Sequence, residues 1–99
     1  MAIKKIIIKK IKEFQAKQGG AWSDYYIGVT SAPREALFEK HNVNESTDPW
    51  FFDIAIKAVI AKEIRDEFIT DYKVDGEILP KKFKEAFVYI YKKAGHMVE

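Results

Sequence analysis

The chain has 99 residues, a formal net charge of +2 and a hydrophobic content of 47%, which includes seven Phe, five Tyr and two Trp. This length fits one domain, and this apolar content is enough for a core, so an intrinsically disordered chain is excluded. The absence of cysteine excludes disulfide bonds and zinc–thiolate sites. No apolar run approaches the roughly 18 residues that span a bilayer. We therefore expect a cytoplasmic protein with no membrane partner.

Charge is unevenly distributed along the chain. Residues 1–20 and 80–99 are rich in lysine, whereas residues 21–79 contain more acidic than basic side chains. Because phosphate neutralisation dominates nucleic-acid affinity, a nucleic-acid interface would lie at the basic ends. The candidate residues for binding nucleic acid are Lys4, Lys5, Lys9, Lys81 and Lys82. A solvated lysine face on a packed helix is the alternative, and it is the more common use of such residues.

The spacing of apolar residues predicts an α/β fold, or α+β by stricter naming, with a three-stranded sheet flanked by three helices. The predicted helices cover residues 2–17, 33–41 and 55–72, and the predicted strands cover residues 25–30, 50–54 and 86–93. A single domain over residues 1–99 is expected to have its core over about residues 22–93 and a tail over residues 94–99. Asp75-Gly76 is expected to form a turn.

The helix predicted over residues 55–72 has an apolar side and a charged side. Its buried side is expected to consist of Ile56, Val59, Ile60, Ile64, Phe68 and Ile69. On the charged side, Glu63, Asp66 and Glu67 have i, i+3, i+4 spacing and share a face on which a cation could bind. Neighbouring basic residues favour a solvated row of charges instead, so no metal site is predicted.

Residues 25–41 carry the most specific pattern, an apolar strand followed by a Ser/Pro turn and a helix that ends at a histidine. Alternation along the strand directs Tyr25 towards the core and Tyr26 towards the opposite face. His41 suits general acid catalysis or a phosphate contact near neutral pH. The alternatives are that Tyr26 packs as an amphipathic aromatic and that His41 stabilises the C-terminal end of the helix dipole.

Tyr26-Ile27-Gly28, Thr30, a short loop and a helix ending at His41 resemble the YIG half of the GIY-YIG nuclease family. The later elements follow the order of small single-domain bacterial and phage relatives: a tryptophan-containing strand, a helix, Asp-Gly and a closing strand, here VYIYKK. The resemblance covers about the whole predicted core. It implies a metal-dependent endonuclease in which the Tyr26 phenol positions or deprotonates the attacking water.

The first strand of the family, which carries its GIY motif, has no counterpart in this chain. We predict that the closing strand takes its place beside residues 25–30, with Tyr89 or Tyr91 standing in for the family's tyrosine. A closing strand on the far edge of the sheet would contradict this arrangement.

Two charged groups of the family pattern are replaced. Ala36 stands where members carry a catalytic arginine, and Arg34 is no simple substitute because two residues along a helix rotate the side chain by about 200°. Arg65 stands where members carry a metal-binding glutamate, and a cation there repels a divalent metal. The late asparagine of many active members also has no counterpart. The resemblance therefore implies a nuclease framework that has lost catalytic charges.

The favoured hypothesis is a catalytically inactive GIY-YIG-like protein that acts by binding a protein partner or DNA. A phage or mobile-element inhibitor of a host defence nuclease would suit such a framework. The alternative is an active endonuclease that cleaves DNA phosphodiester bonds with Tyr26, Arg34 and His41 as its catalytic residues. The favoured hypothesis requires no metal or small-molecule cofactor, whereas the alternative requires Mg²⁺. Loss of one preorganised charge costs about 3–4 kcal/mol in the transition state, which argues against the alternative.

Overall fold

The computed structural model describes residues 3–76 and 87–95, which form a mixed α/β structure with a four-stranded sheet. The elements are helix α1 (Ile3–Gln18), strand β1 (Tyr25–Thr30), a π-helix (Glu35–Lys40), strand β2 (Trp50–Ile54), helix α2 (Ala58–Asp71), strand β3 (Asp75–Gly76) and strand β4 (Phe87–Lys92). Within the described part of the chain, no helix has both the length and the apolar character needed to cross a bilayer.

The strands are arranged in the order β2, β4, β1, β3. Strand β4 runs antiparallel to both of its neighbours, whereas β3 runs parallel to β1 at the other edge. The predicted number of three strands is therefore wrong. The turn predicted at Asp75-Gly76 is instead strand β3, which pairs with Tyr26 and Ile27. Gly76 permits this pairing because a Cβ at its position would overlap the carbonyl oxygen of Ile27.

Strand β4 confirms the predicted pairing of the closing strand with residues 25–30. The two strands are antiparallel, with Tyr91 opposite Tyr26 and Tyr89 opposite Gly28. Because alternate residues of a strand point to the same side, these four positions share one face of the sheet. The relationship of β4 to the GIY strand of the nuclease family stays a prediction.

Helices α1 and α2 cover one face of the sheet. The fully buried core on this face includes Tyr25, Ile27, Val88 and Ile90 from the strands and Ile7, Ile11, Ile64 and Phe68 from the helices. The predicted burial of Tyr25 is thus confirmed, and its hydroxyl donates to the Gly19 carbonyl at 2.7 Å. Burial, and to a smaller extent the charge of Asp24, raises the pKa of the Tyr25 phenol. Each fully buried Ile or Phe stabilises the fold by about 1.5–3 kcal/mol, so this layer is a large source of stability.

The opposite face carries Tyr26, Tyr89 and Tyr91. Ala36 and Leu37 of the π-helix pack against these tyrosines and are 5% and 0% exposed. This face therefore holds the three tyrosines in a covered position.

Helix α2 begins at Ala58, later than the predicted start at residue 55. The sequence predicts Ile56 and Val59 on its buried side, but they are 67% and 46% exposed, so the prediction is wrong for both. For Ile56 the cause is a γ-turn in which the Lys57 N–H donates to the Ala55 carbonyl at 2.7 Å and Ile56 adopts a φ of 69°. This turn delays the start of the helix and leaves Ile56 in solvent.

Candidate functional site

Strands β1 and β4 bring three phenol rings together on one face of the sheet. Tyr26 of β1 stacks on Tyr91 of β4, with ring centroids 5.5 Å apart and 24° between the ring planes. Tyr89 lies opposite Gly28, where a Cβ would overlap the Tyr89 hydroxyl and ring carbons. The bare backbone of Gly28 therefore makes room for the Tyr89 ring across β1.

The π-helix brings His41 to the same place. The His41 N–H donates to the Ala36 carbonyl at 3.0 Å. This bond spans five residues rather than the four of an α-helix, so Ala36 and His41 lie above one another on the same side. Ordinary helical spacing therefore does not predict where this histidine points.

His41 links two of the phenols by hydrogen bonds. Its Nε2 atom lies 2.8 Å from the Tyr89 hydroxyl, and its Nδ1 atom lies 3.1 Å from the Tyr91 hydroxyl. The donor and acceptor roles in these two bonds depend on which ring nitrogen carries a proton. The His41 ring also contacts Tyr26, with ring centroids 4.9 Å apart. We call Tyr26, His41, Tyr89 and Tyr91 the tyrosine–histidine cluster.

The tyrosine–histidine cluster lies largely inside the protein. Tyr26, Tyr89 and Tyr91 are 5%, 6% and 0% exposed, and His41 is half-buried. Buried polar groups are costly unless they have hydrogen-bond partners, and the two hydrogen bonds to His41 provide such partners. The three phenol rings are therefore covered, whereas part of the His41 side chain is accessible to solvent.

Of the three predicted catalytic residues, the structure brings Tyr26 and His41 together and leaves Arg34 outside the cluster. Arg34 is exposed, and its Nη1 atom donates to Glu45 Oε2 at 3.0 Å. Ala36 packs beside the tyrosines, so a methyl group occupies the position that the nuclease resemblance assigns to an arginine.

Both Tyr89 and Tyr91 join the cluster, although the sequence predicts a site role for only one of them. The sequence feature that indicates a shared position for both tyrosines is the alternation in VYIYKK, which places the two phenols on the same face of a strand. Their shared contact with His41 has no such signal, because it depends on the hydrogen bonding of the π-helix.

Arg65 lies on the helix that covers the other face of the sheet. Helix α2 packs there through Ile64 and Phe68, and Arg65 itself is 1% exposed. The Arg65 Nε atom donates to Asp66 Oδ1 at 3.0 Å, and Nη2 lies 3.0 Å from the same oxygen without the geometry of a hydrogen bond. Burial acts to raise the pKa of Asp66, but hydrogen bonds from Lys62 and Arg65 outweigh it and lower the pKa. Arg65 is thus a buried cation with its own counter-ion.

The residues present do not fit the magnesium ion that the nuclease resemblance implies. The position assigned to the metal-binding carboxylate is Arg65, whose positive charge opposes a divalent cation. Over residues 3–76 and 87–95, the structure contains no group of three or more His, Asp or Glu side chains that could hold a metal ion. Of the charged row on α2, Glu63 and Glu67 lie 3.5 and 3.9 Å from Lys4 Nζ. These carboxylates are used in ion pairs between α1 and α2.

Three of the five predicted nucleic-acid-binding residues, Lys4, Lys5 and Lys9, lie on α1. Lys4 is paired with α2, whereas Lys5 and Lys9 are exposed on α1. Lys81 and Lys82 lie outside the described residues. Lys4, Lys5 and Lys9 all line a groove of about 700 Å³. Because α1 covers the face of the sheet opposite to Tyr26, this groove is separate from the tyrosine–histidine cluster.

The fold and the site define a small mixed α/β protein with a covered tyrosine–histidine cluster on one face of its sheet. No protein-family model, curated protein or solved structure matches the chain. The resemblance to GIY-YIG nucleases therefore depends on the motif residues alone and stays a prediction.

Proposed function

We propose that this chain is a catalytically inactive protein with a GIY-YIG-like framework and that it acts by binding a protein partner. The observation that carries the proposal is the environment of Tyr26. Its phenol ring stacks in a covered cluster, and Ala36 packs where the resemblance assigns the catalytic arginine. A methyl group at that position cannot stabilise the charge of a scissile phosphate.

The arginine at position 65 is a second argument against catalytic activity. This residue stands where the resemblance assigns a metal-binding glutamate, and it is buried against Asp66. An active enzyme would have to recover two groups of this kind, and one such group alone is worth about 3–4 kcal/mol in a transition state. A binding function requires neither group.

A protein partner suits the described surface better than DNA does. Lys4 and Lys10 of α1 lie within 3.5 and 3.2 Å of carboxylate oxygens of Glu63 and Asp53, which reduces the positive potential available to phosphates. The middle of the chain, residues 21–79, is acidic. Inhibition of a host defence nuclease by a phage or mobile element is one role that suits a nuclease-like framework without catalysis.

Incubation with supercoiled plasmid tests the loss of catalysis. The purified protein is mixed with plasmid and either Mg²⁺ or Mn²⁺, and the nicked and linear products are quantified on gels. We expect no more cleavage than in reactions without protein, because Ala36 and Arg65 stand where the resemblance assigns the two catalytic charges.

The matched control is Tyr26→Phe, which removes one hydroxyl and keeps the ring that stacks on Tyr91. Cleavage by the wild-type protein that this variant lacks would overturn the proposal, since the Tyr26 hydroxyl is the group that the resemblance assigns to water activation. Cleavage of equal strength in both proteins would identify a contaminating nuclease. Matching circular dichroism spectra establish that the variant is folded.

A further inference from the structure

A groove of about 700 Å³ runs along α1 on the side of the sheet away from the tyrosine–histidine cluster. Its described lining includes Lys4, Lys5, Ile8, Lys9, Lys12 and Ala16, and we call it the α1 groove. The cluster makes no use of this surface, so the groove is a separate candidate for binding.

The α1 groove has the length and the floor of a helix-binding site. From Lys4 to Ala16 it follows α1 for about 18 Å at 1.5 Å per residue, or somewhat more than three helical turns. Ile8, Lys12 and Ala16 follow one another at four-residue spacing and therefore lie along one side of the helix. Ala16 is exposed and small, which lets a neighbouring helix approach closely.

Lysines outnumber acidic residues in the described lining of the α1 groove, which contains Lys4, Lys5, Lys9 and Lys12 beside Glu13 and Glu67. Lys5 and Lys9 are exposed and, among the described residues, have no carboxylate at ion-pair distance. Lys12 is also exposed, and its Nζ atom lies 5.1 Å from the centroid of the Tyr72 ring. The groove therefore offers three exposed ammonium groups on one side of α1 to an anionic partner.

Chemistry distinguishes among anionic partners. A nucleic-acid backbone has no apolar group for Ile8 and Ala16, which line the groove. A bilayer surface takes up a wide apolar face, whereas Ile8 and Ala16 are the apolar side chains in the described lining of the groove. An acidic amphipathic helix satisfies both features, because its apolar stripe covers the floor while its carboxylates meet the lysines.

We propose that the α1 groove binds an acidic amphipathic helix of a protein partner, about three turns long. The helix places apolar side chains on Ile8, Ala16 and the lysine methylenes, and its Asp or Glu side chains pair with Lys5, Lys9 and Lys12. This inference rests on the proposed function only in taking the partner to be a protein.

Fluorescence anisotropy with a synthetic peptide tests the inference. The probe is a labelled helical peptide of about 14 residues built from Leu, Ala and Glu, with leucine at helical spacing on one face. The titration is run at about 0.15 M salt, where weak surface attraction is largely screened. We expect saturable binding to the full-length wild-type protein.

Three variants separate the contributions of charge and shape. The double variant Lys5→Glu/Lys9→Glu should weaken binding by at least about tenfold, since attractive contacts become repulsive. Ala16→Phe should weaken binding at constant charge because it fills the floor of the groove. The matched control is Lys40→Glu/Lys57→Glu, which makes the same charge change at two exposed positions away from the groove and should bind as the wild type does.

Several outcomes would overturn the inference. These are the absence of saturable binding up to about 1 mM peptide, equal binding by the wild type and the Lys5→Glu/Lys9→Glu variant, and unchanged affinity for a peptide in which serine replaces leucine. Displacement of the peptide by lower concentrations of a DNA duplex, or of phosphatidylglycerol vesicles, would assign the groove to those ligands instead.

The peptide titration and the plasmid assay test different proposals, so one proposal can be overturned while the other stands. Plasmid cleavage that requires Tyr26 would overturn the proposed function even if the peptide binds normally. Loss of peptide binding without plasmid cleavage would overturn only the α1 groove as the binding surface.

Discussion

Gly28 lies opposite Tyr89 in the pair of strands β1 and β4, and the Tyr89 ring occupies the space that a side chain at Gly28 would fill. The Tyr89 hydroxyl lies 2.8 Å from His41 Nε2. Because Tyr89 is only 6% exposed, its ring has little room to move away. Gly28 is therefore required for packing of the tyrosine–histidine cluster.

We predict that Gly28→Ala displaces the Tyr89 ring and destabilises the protein by about 1–3 kcal/mol through overpacking. Urea denaturation followed by tryptophan fluorescence gives the free energy of unfolding. The matched control is Gly95→Ala, because among the described residues a Cβ at Gly95 would meet no atom within 4 Å beyond its chain neighbours, and the change should be below about 0.5 kcal/mol. Equal stability of Gly28→Ala and the wild type would contradict the packing role.

The sequence predicts the directions of strand side chains but not all of the residues that these side chains contact. Alternation correctly assigns Tyr25 to the core, because the side-chain period of a strand is two. The contacts of His41 with Tyr89 and Tyr91 are not predictable in this way. They depend on a hydrogen bond from His41 to Ala36 that spans five residues, which no pattern of apolar spacing indicates.

Helix α2 contains a buried cation, Arg65, whose counter-ion is the adjacent Asp66. We predict that Asp66→Asn destabilises the protein by about 3 kcal/mol, since it leaves the Arg65 charge buried without its partner. Arg65→Met/Asp66→Asn should recover most of this loss because the buried charge is removed as well. Urea denaturation at neutral pH measures both changes in the free energy of unfolding.

The same pair predicts a dependence of stability on pH. Hydrogen bonds from Lys62 and Arg65 hold the pKa of Asp66 below its ordinary value of 3.8 despite its burial, so the unfolded chain takes up this proton first as the pH falls. The stabilisation by Asp66 is complete above its ordinary pKa and is lost as the pH falls below it. Arg65→Met should show a shallower loss of stability in acid.

Asp71→Asn is the control for both experiments, because Asp71 is an exposed carboxylate on the same helix. Its expected effect is within about 0.5 kcal/mol. If Asp71→Asn and Asp66→Asn lowered the free energy of unfolding equally, the loss would come from neutralising any carboxylate on α2. Its assignment to the Arg65–Asp66 pair would then be wrong.

The sequence predicts best those helices and strands whose apolar residues recur at regular spacing. Helix α1 and strands β1 and β2 are present where apolar spacing predicts them, because each buries one face against the core. Strand β3 and the start of α2 depend on single local events instead. One is the close approach that Gly76 allows, and the other is the γ-turn at Ile56, which places a β-branched residue in a left-handed conformation.

The whole molecule is arranged so that a late segment of the chain lies at the centre of its sheet. Strand β4 joins β2 to β1 and is the last strand in the described chain order, so the sheet is incomplete until residues far apart in sequence have paired. The α1 groove and the tyrosine–histidine cluster lie on opposite sides of this sheet, so a partner in the groove would not contact the cluster.

Native-state hydrogen exchange tests this arrangement of strands. Ile90 of β4 has a neighbouring strand on each side, with Ile27 and Phe51 as its partners, so its amide should exchange only when the whole protein unfolds. Its exchange free energy should equal the free energy of unfolding from urea denaturation.

Gly76 of β3 pairs at the edge of the described sheet and should exchange through local opening at a lower free energy. Ile27 serves as the internal control, because β1 is also flanked on both sides. If Ile90 exchanged as readily as Gly76, β4 would not be the central strand.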